Sequence, residues 1–244
     1  MFESYPAPFN AVVVGASGGI GSAFTRHLAG SGKVDTIIAY SRAPIGGQGK
    51  IETRALDFLD EAVLAAEANY LKDFAPRLIL IATGVLHDGA AVQPEKALRQ
   101  LDIGTMEEVF RINTFGPALT LKHFLPTLPR EGKSVAAAIS ARVGSISDNG
   151  LGGWYSYRSS KAALNMMLRT SAIEMSRRWK EAVCVGLHPG TVDTALSKPF
   201  QSGVVDKKLF SPDYSAGEML KVLDSLTPEQ TGQVFDYAGK VVPF

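Results

Sequence analysis

The chain has 244 residues, 45% of them hydrophobic and 20% charged, with 25 basic against 24 acidic side chains and a formal net charge of +1. That balance excludes a disordered chain and leaves no global electrostatic footprint for nucleic acid or an anionic membrane. No apolar run approaches the roughly 18 residues that span a bilayer, and the N-terminus MFESYPAPFN carries neither a basic leader nor an apolar core, so the expected setting is the cytoplasm.

The elements alternate. Phe9 to Val14 is a short β-branched apolar run that stops at a Gly/Ser cluster, and Ile20 to Ala29 has helical spacing closed by Gly30 and Gly32. Thr36–Tyr40 and Ile51–Leu56 read as strands, Asp60–Leu71 as an Ala-rich helix and Arg77–Ala82 as a buried strand. A long helix is predicted from about Thr105 to Leu125, followed by a strand over Ser134–Ser140, a helix from about Tyr155 to Lys180 and a strand over Ala182–Leu187. Cys184, the single cysteine, lies in that last apolar run and reads as a small core residue. Thr194 to Pro212 has turn-rich composition without sustained periodicity and is the expected substrate loop or lid; a helix over Tyr214–Leu226 and a strand near Gln233–Tyr237 close the chain. Continuously apolar strands alternating with helices predict a doubly wound α/β domain with a mainly parallel sheet covered on both faces, and no linker or repeat divides residues 1–244.

Gly15-Ala16-Ser17-Gly18-Gly19-Ile20-Gly21 joins the first strand to the first helix. In that context exposed backbone N–H groups and the positive end of the helix dipole make an anion site. Gly15 suits the tight turn, Gly19 admits a phosphate to the backbone and Gly21 permits close helix-to-sheet packing, in the spacing G-x-x-x-G-x-G. The second strand ends Tyr40-Ser41-Arg42, with no acid at its tip, whereas Asp35 lies at its beginning. This favours NADP(H) over NAD(H), with Ser41 and Arg42 on a 2′-phosphate; read alone, Arg42 is a solvated loop charge. Tyr157 and Lys161 stand four positions apart on one helical face, so an ammonium neighbours a phenol, lowers its pKa and suits it to general acid catalysis. In isolation Tyr-x-x-x-Lys is usually structural, and the upstream glycine turn gives it meaning. The four histidines show no metal-ligand spacing, so no catalytic metal is expected.

Taken together, GASGGIG at 15–21, Asn113 in FRINTFGP, the serine-bearing end of the fifth strand, Tyr157 with Lys161, and HPGTVDT at 188–194 resemble the short-chain dehydrogenase/reductase superfamily across essentially the whole chain. The phrases SARVGSISDN, GGWYSYRSSKAALN and HPGTVDTALSKPFQ look closest to its C-factor-like branch, often described as cell-to-cell signalling factors or carbonyl reductases. The resemblance implies a Rossmann fold with about seven parallel strands and hydride transfer between a nicotinamide and a carbonyl or alcohol. It makes Tyr157 the proton donor, with Lys161 on the nicotinamide ribose and Asn113 anchoring a water through its main chain at a local helix distortion. Gly15, Ser17, Gly18, Gly19, Ile20 and Gly21 would hold the cofactor phosphates, and Asp57 with Phe58 the adenine. Pro189, Gly190, Val192 and Thr194 would fix the carboxamide end, while His188 reads as a strand-end residue.

Two departures stand out. The family's Asn-Asn-Ala-Gly is here Ile81-Ala82-Thr83-Gly84, leaving cofactor contacts there to Ala82, Thr83 and Gly84. Where the family ends strand five with Ser-Ser, this chain has Ser140-Ala141. Three placements of the carbonyl-binding serine compete: Ser140, one residue early and therefore turned to the opposite face of an extended strand; Ser145 or Ser147 in the following loop; or no serine. Leu86, Trp154, Leu196 and Phe200, in the loops 85–92, 145–154 and 196–210, offer apolar surface without a charged anchor, favouring an aldehyde, ketone or quinone with an apolar body. The alternative reading is a nucleotide-binding signalling or sensor protein with a vestigial redox site; a purely structural interaction domain would bind no cofactor. The helices around Phe115–Leu125 and Ala162–Ile173 resemble the family's dimerising pair, implying a homodimer or homotetramer.

Overall fold

A computed structural model describes residues 1–43, 46–89, 92–203 and 209–244. Its centre is an eight-stranded sheet built from β1 (Phe9–Val14), β2 (Val34–Ser41), β3 (Ile51–Ala55), β4 (Leu78–Ile81), β5 (Ser134–Ile139), β6 (Ala182–His188), β9 (Val234–Asp236) and β10 (Val241–Val242). The spatial order is β10-β9-β6-β5-β4-β1-β2-β3, and every pairing is parallel except the β9–β10 hairpin at one edge. Seven parallel strands were expected and seven are present; the antiparallel β10, two residues long, makes the eighth.

Residues of β1 alternate between two cores. Ala11 and Val13 face Phe24 and Leu28 of α1 (Gly19–Ala29) and Leu220 and Leu223 of α6 (Pro212–Ser225). Val12 and Val14 join Leu64 of α2 (Glu61–Phe74), Phe124 of α4 (Gly116–Phe124) and Leu168 of α5 (Tyr155–Met175). Both faces are covered, which explains why the strands read as unbroken apolar runs rather than alternating ones. Cys184 is fully buried in the second core, and burial pushes its thiol up to about 12. The chain winds outward from β1 in both directions, so β1 and β4 are neighbours, and the crevice beyond Val14 and Ile81 is the topological switch point where such sheets take ligands.

Three local differences from the sequence reading matter for the site. The helix expected over Thr105–Leu125 is α3 (Ile103–Phe110), a π-helical turn (Arg111–Phe115) and α4, the turn falling at Asn113 where the family resemblance implies a helix distortion. Pro117 has no N–H to close an α-helical turn onto the carbonyl of Asn113, and Gly116 N–H bonds back to Arg111 instead. The helix predicted to reach Lys180 ends at Met175. Within the loop after β6, Thr191–Val192 (β7) pairs in parallel with Leu209–Phe210 (β8), and Lys198–Gly203 forms a 3₁₀ turn; two-residue strands are too short to show a period. Residues 90–91 of the predicted 85–92 loop and 204–208 of the predicted lid, including Lys207 and Lys208, lie outside the described residues. Among the described residues no helix is long and apolar enough to cross a membrane.

Candidate active site

At the switch point the chain turns from β1 into α1 with no side chain capping the helix and no acid in its first turn. Ser17, Gly18 and Gly19 are exposed there, and Ile20 packs against the core beneath. A Cβ on Gly21 would lie 2.1 Å from the Gly15 carbonyl oxygen, and Gly15 itself has φ +86° with the Ala82 carbonyl 2.9 Å from its Cβ position. The turn is therefore held against both its own helix and the end of β4. A Cβ on Gly19 would come 2.7 Å from Cγ2 of Thr194, so the loop after β6 faces the glycine turn across the crevice. Thr83, between Ala82 and Gly84, has a buried hydroxyl oxygen with no partner among the described residues. Uncapped helix N–H groups, a backbone cradle that side chains would fill and an orphan hydroxyl fit a phosphate-bearing dinucleotide.

The other residues predicted to hold that ligand fall around the same crevice or behind it. The Ser41 hydroxyl is buried and donates to the Ala43 carbonyl (2.5 Å), whereas Arg42 is exposed and makes no ion pair among the described residues. Asp57 is exposed and accepts from Leu59 N–H (2.9 Å), and the Phe58 ring is pressed onto Gly116 of α4. The carbonyl of Pro189 accepts from Ser215, Gly190 lies under the Phe210 ring, and Val192 is buried. Ser197, not singled out in the sequence, ties this loop together: its hydroxyl donates to the Val192 carbonyl and accepts from Gln201.

Asn113 is fully buried at the π-turn. Its side chain closes a two-bond clasp on Val85, accepting from the N–H and donating to the carbonyl (both 2.8 Å), and also donates to Ser160 Oγ (3.1 Å). Lys161 is 2% exposed; its Nζ donates to the Ile139 carbonyl at the end of β5 (2.9 Å) and lies 3.5 Å from the Cβ position of Gly84. Burial pushes Lys161 down to about 8. Tyr157 shares its face of α5, with Lys161 Nζ 5.9 Å from the ring centroid. Burial pushes the phenol up to about 12, opposite to the lowering expected from a neighbouring ammonium, because at this distance desolvation prevails. His188 is likewise pushed down, to about 4, by burial.

Tyr157 sits among Leu86, Ala141, Val143, Trp154, Leu196 and Phe200. Trp154 meets Tyr157 and Phe200 edge-to-face at 6.2 and 5.1 Å between centroids, and Phe200 meets His87 at 5.6 Å. His87 in turn donates to the Ala195 carbonyl (3.0 Å), fastening the 194–203 segment over this cluster. The candidate serines are bonded to other groups. Ser140 Oγ donates to Asn165 Oδ1 (2.6 Å), and Asn165 stands eight residues beyond Tyr157, about 12 Å along the helix axis. Ser145 accepts from Asp148 N–H (3.1 Å), and Ser147 donates to the Phe244 carbonyl. Ala141, two residues beyond β5, is the one that packs with the tyrosine.

Comparison with known proteins agrees with this geometry. The short chain dehydrogenase family model matches residues 10–204. C-signal of Myxococcus xanthus is 40% identical over 148 residues, covering 61% of this chain and 84% of that protein. The 1-hydroxy-2-glutathionyl-2-methyl-3-butene dehydrogenase of Rhodococcus sp. (strain AD45) is 33% identical over 225 residues, 91% of this chain and 93% of the other. The NADPH-bound carbonyl reductase from chicken fatty liver superposes with a TM-score of 0.85 at 27% identity, over 99% of this chain and 97% of that one. The chain belongs to the short-chain dehydrogenase family and is an NAD(P)-dependent oxidoreductase.

Proposed function

We propose that the protein is an NADPH-dependent reductase of aldehydes, ketones or quinones with an apolar body, with Tyr157 as the proton donor. The observation that carries this reading is the Tyr157–Lys161 pair, buried on one face of α5, with the Tyr157 ring packed against the apolar side chains of Leu86, Val143, Trp154, Leu196 and Phe200. When bound at the glycine turn, a reduced nicotinamide supplies the hydride to the carbonyl carbon. The Tyr157 hydroxyl gives its proton to the carbonyl oxygen as the alcohol forms. A phenol held up at about 12 stays protonated at neutral pH, but burial also makes it a weaker acid, so its proton moves only as negative charge builds on the carbonyl oxygen. Lys161, held by the Ile139 carbonyl, meets the ribose and returns a proton to the tyrosine, and Asn113 fixes the Val85 backbone beside it. The apolar walls exclude water, and the 194–203 segment serves as the lid. Arg42 at the tip of β2 supports NADPH over NADH, as does the NADPH bound to the chicken carbonyl reductase. Phe115, Met166 and Ile173, about half or more exposed on the π-turn and α5, support self-association through these helices.

The test is Tyr157→Phe. With NADPH and a panel of aldehydes, ketones and quinones, turnover should fall by about a thousandfold or more while NADPH affinity, read by fluorescence titration, changes little. Preserved turnover excludes Tyr157 as the acid. One observation favours a second reading: Ala141 faces Tyr157 where the family's serine would stand, and C-signal is similar over 61% of this chain. A nucleotide-binding signalling protein would bind NADPH yet turn over nothing in the panel.

A further inference from the structure

Helix α5 carries Tyr157 in its first turn, yet lacks a cap of its own. Its N-cap residue is Trp154, which supplies no side-chain bond, and no acid stands in the first turn. Trp154 adopts φ 52° and ψ 46°, a left-handed conformation that is strained for a bulky side chain. Arg158 donates from within the helix to the Gly152, Gly153 and Val143 carbonyls, and the bonds to the N–H groups at the helix start come from Glu95, on the loop after β4. The Glu95 carboxylate accepts from Ser156 N–H (3.1 Å) and from the Ser156 hydroxyl, and its main-chain carbonyl accepts from Trp154 N–H (2.5 Å).

Glu95 is 4% exposed and makes no ion pair among the described residues. A buried carboxylate without a cation is costly unless hydrogen bonds and a favourable dipole compensate it, and the start of a 21-residue helix offers both. Its own loop is fixed further along. Gln100 Oε1 accepts from Lys96 and Ala97 N–H, and Asp102 caps α3 through Thr105 N–H.

We propose that Glu95 is a positioning residue for the reaction: by capping α5 from outside the helix, it sets the direction of the Tyr157 phenol and stabilises the Trp154 conformation that brings the indole beside it. Ser156 is adjacent to Tyr157, so a shift of this turn moves the phenolic oxygen relative to Lys161, which is held separately by the Ile139 carbonyl. Glu95 makes no hydrogen bond to the glycine turn among the described residues. The inference rests on the carbonyl-reductase reading given above.

The test compares Glu95→Ala, Glu95→Gln and Ser156→Ala with the parent, each rate normalised to NADPH-binding sites counted by fluorescence titration. Glu95→Ala should lower kcat by about tenfold to a hundredfold, the cost of a small misplacement of a catalytic group, with the NADPH Kd within about twofold of the parent. Glu95→Gln still presents an amide oxygen to Ser156 N–H and should stay within about threefold of the parent. Ser156→Ala removes one of the two bonds and should fall between them. Hydrogen exchange in Glu95→Ala should quicken at residues 154–158 and not in the central strands. Parent-like kcat per site, equal losses of kcat and NADPH affinity, or Gln as damaging as Ala would each overturn the proposal. If Glu95→Ala does not fold, Glu95→Gln and Ser156→Ala carry the same decision through their order and their unchanged NADPH Kd. A parent that binds NADPH but reduces no carbonyl removes the reductase reading instead, and unchanged exchange at 154–158 then overturns the anchoring by itself.

Discussion

Around Lys161 the polar groups are held by polar partners: its ammonium on the Ile139 carbonyl, the Asn113 amide on Val85 and Ser160, and the Ser160 hydroxyl on the Tyr157 carbonyl. Around the Tyr157 ring, one helical turn earlier, the neighbours are instead Leu86, Ala141, Trp154 and Phe200. The first region is a fixed lattice in which each side chain locates another. The second is a set of apolar walls, fastened by aromatic edges and by one bond from His87 to Ala195. In such an arrangement the cofactor is positioned by hydrogen bonds and backbone contact, whereas the substrate is selected by shape and by exclusion of water.

The largest effect expected on cofactor affinity breaks the polar side of this contrast. A Cβ at Gly21 would sit 2.1 Å from the Gly15 carbonyl oxygen, a backbone atom with no freedom to swing aside. Gly21→Val must therefore push α1 away from β1 and disperse the N–H groups at its start. NADPH binding should weaken by about a hundredfold or more, or ~3 kcal/mol, measured by fluorescence titration. Affinity at the parent level would mean that the phosphates are not held at this turn.

A smaller effect sharpens the same side. Arg42 is exposed at the tip of β2 with no acidic partner among the described residues. Replacing it with Asp removes charge-assisted bonds to a 2′-phosphate and offers an acceptor to a 2′-hydroxyl. The ratio of kcat/KM for NADPH to that for NADH should fall by roughly tenfold to a hundredfold and reverse. A ratio that does not move places the discrimination elsewhere.

The two regions also differed in how far they could be read from sequence. The glycine turn is local: seven consecutive residues must let backbone approach backbone, and the letters at 15–21 state that requirement directly. Tyr157 and Lys161 are legible for a similar reason, since one helical turn relates them. The contacts that went unread join distant segments. Glu95 reaches Ser156 across 61 residues, and Asn113 reaches Val85 across 28. Ser197 is closer, five residues from Val192, but its role depends on a turn with no periodicity. The π-turn had a local signal in Pro117, four residues after Asn113, where a missing N–H interrupts the α-helical ladder. The phenol pKa was misjudged because sequence spacing reports the ammonium but not the burial that opposes it.

Ser140 and Ala141 carry the comparison to its finest point, because adjacent residues leaving the same strand belong to different regions. The Ser140 hydroxyl is bonded to Asn165, two helical turns from Tyr157, while the Ala141 methyl faces the tyrosine. Ser140→Ala would leave Asn165 Oδ1 without that donor and cost about 1 kcal/mol of stability. If carbonyl polarisation belongs to no serine, its kcat should stay within about threefold of the parent; a loss of about a hundredfold, as for a lost oxyanion donor, would return Ser140 to the reaction. Ala141→Ser is the complementary change. It places a hydroxyl on the apolar side, beside Tyr157, and should raise kcat about threefold to tenfold with little effect on NADPH affinity. The gain is expected to fall short of a native oxyanion donor because the largely apolar wall does little to orient the new hydroxyl, and preorganisation supplies most of such a donor's effect. A decrease instead would mean that dryness at this position matters more to hydride transfer than a second hydrogen bond to the carbonyl oxygen.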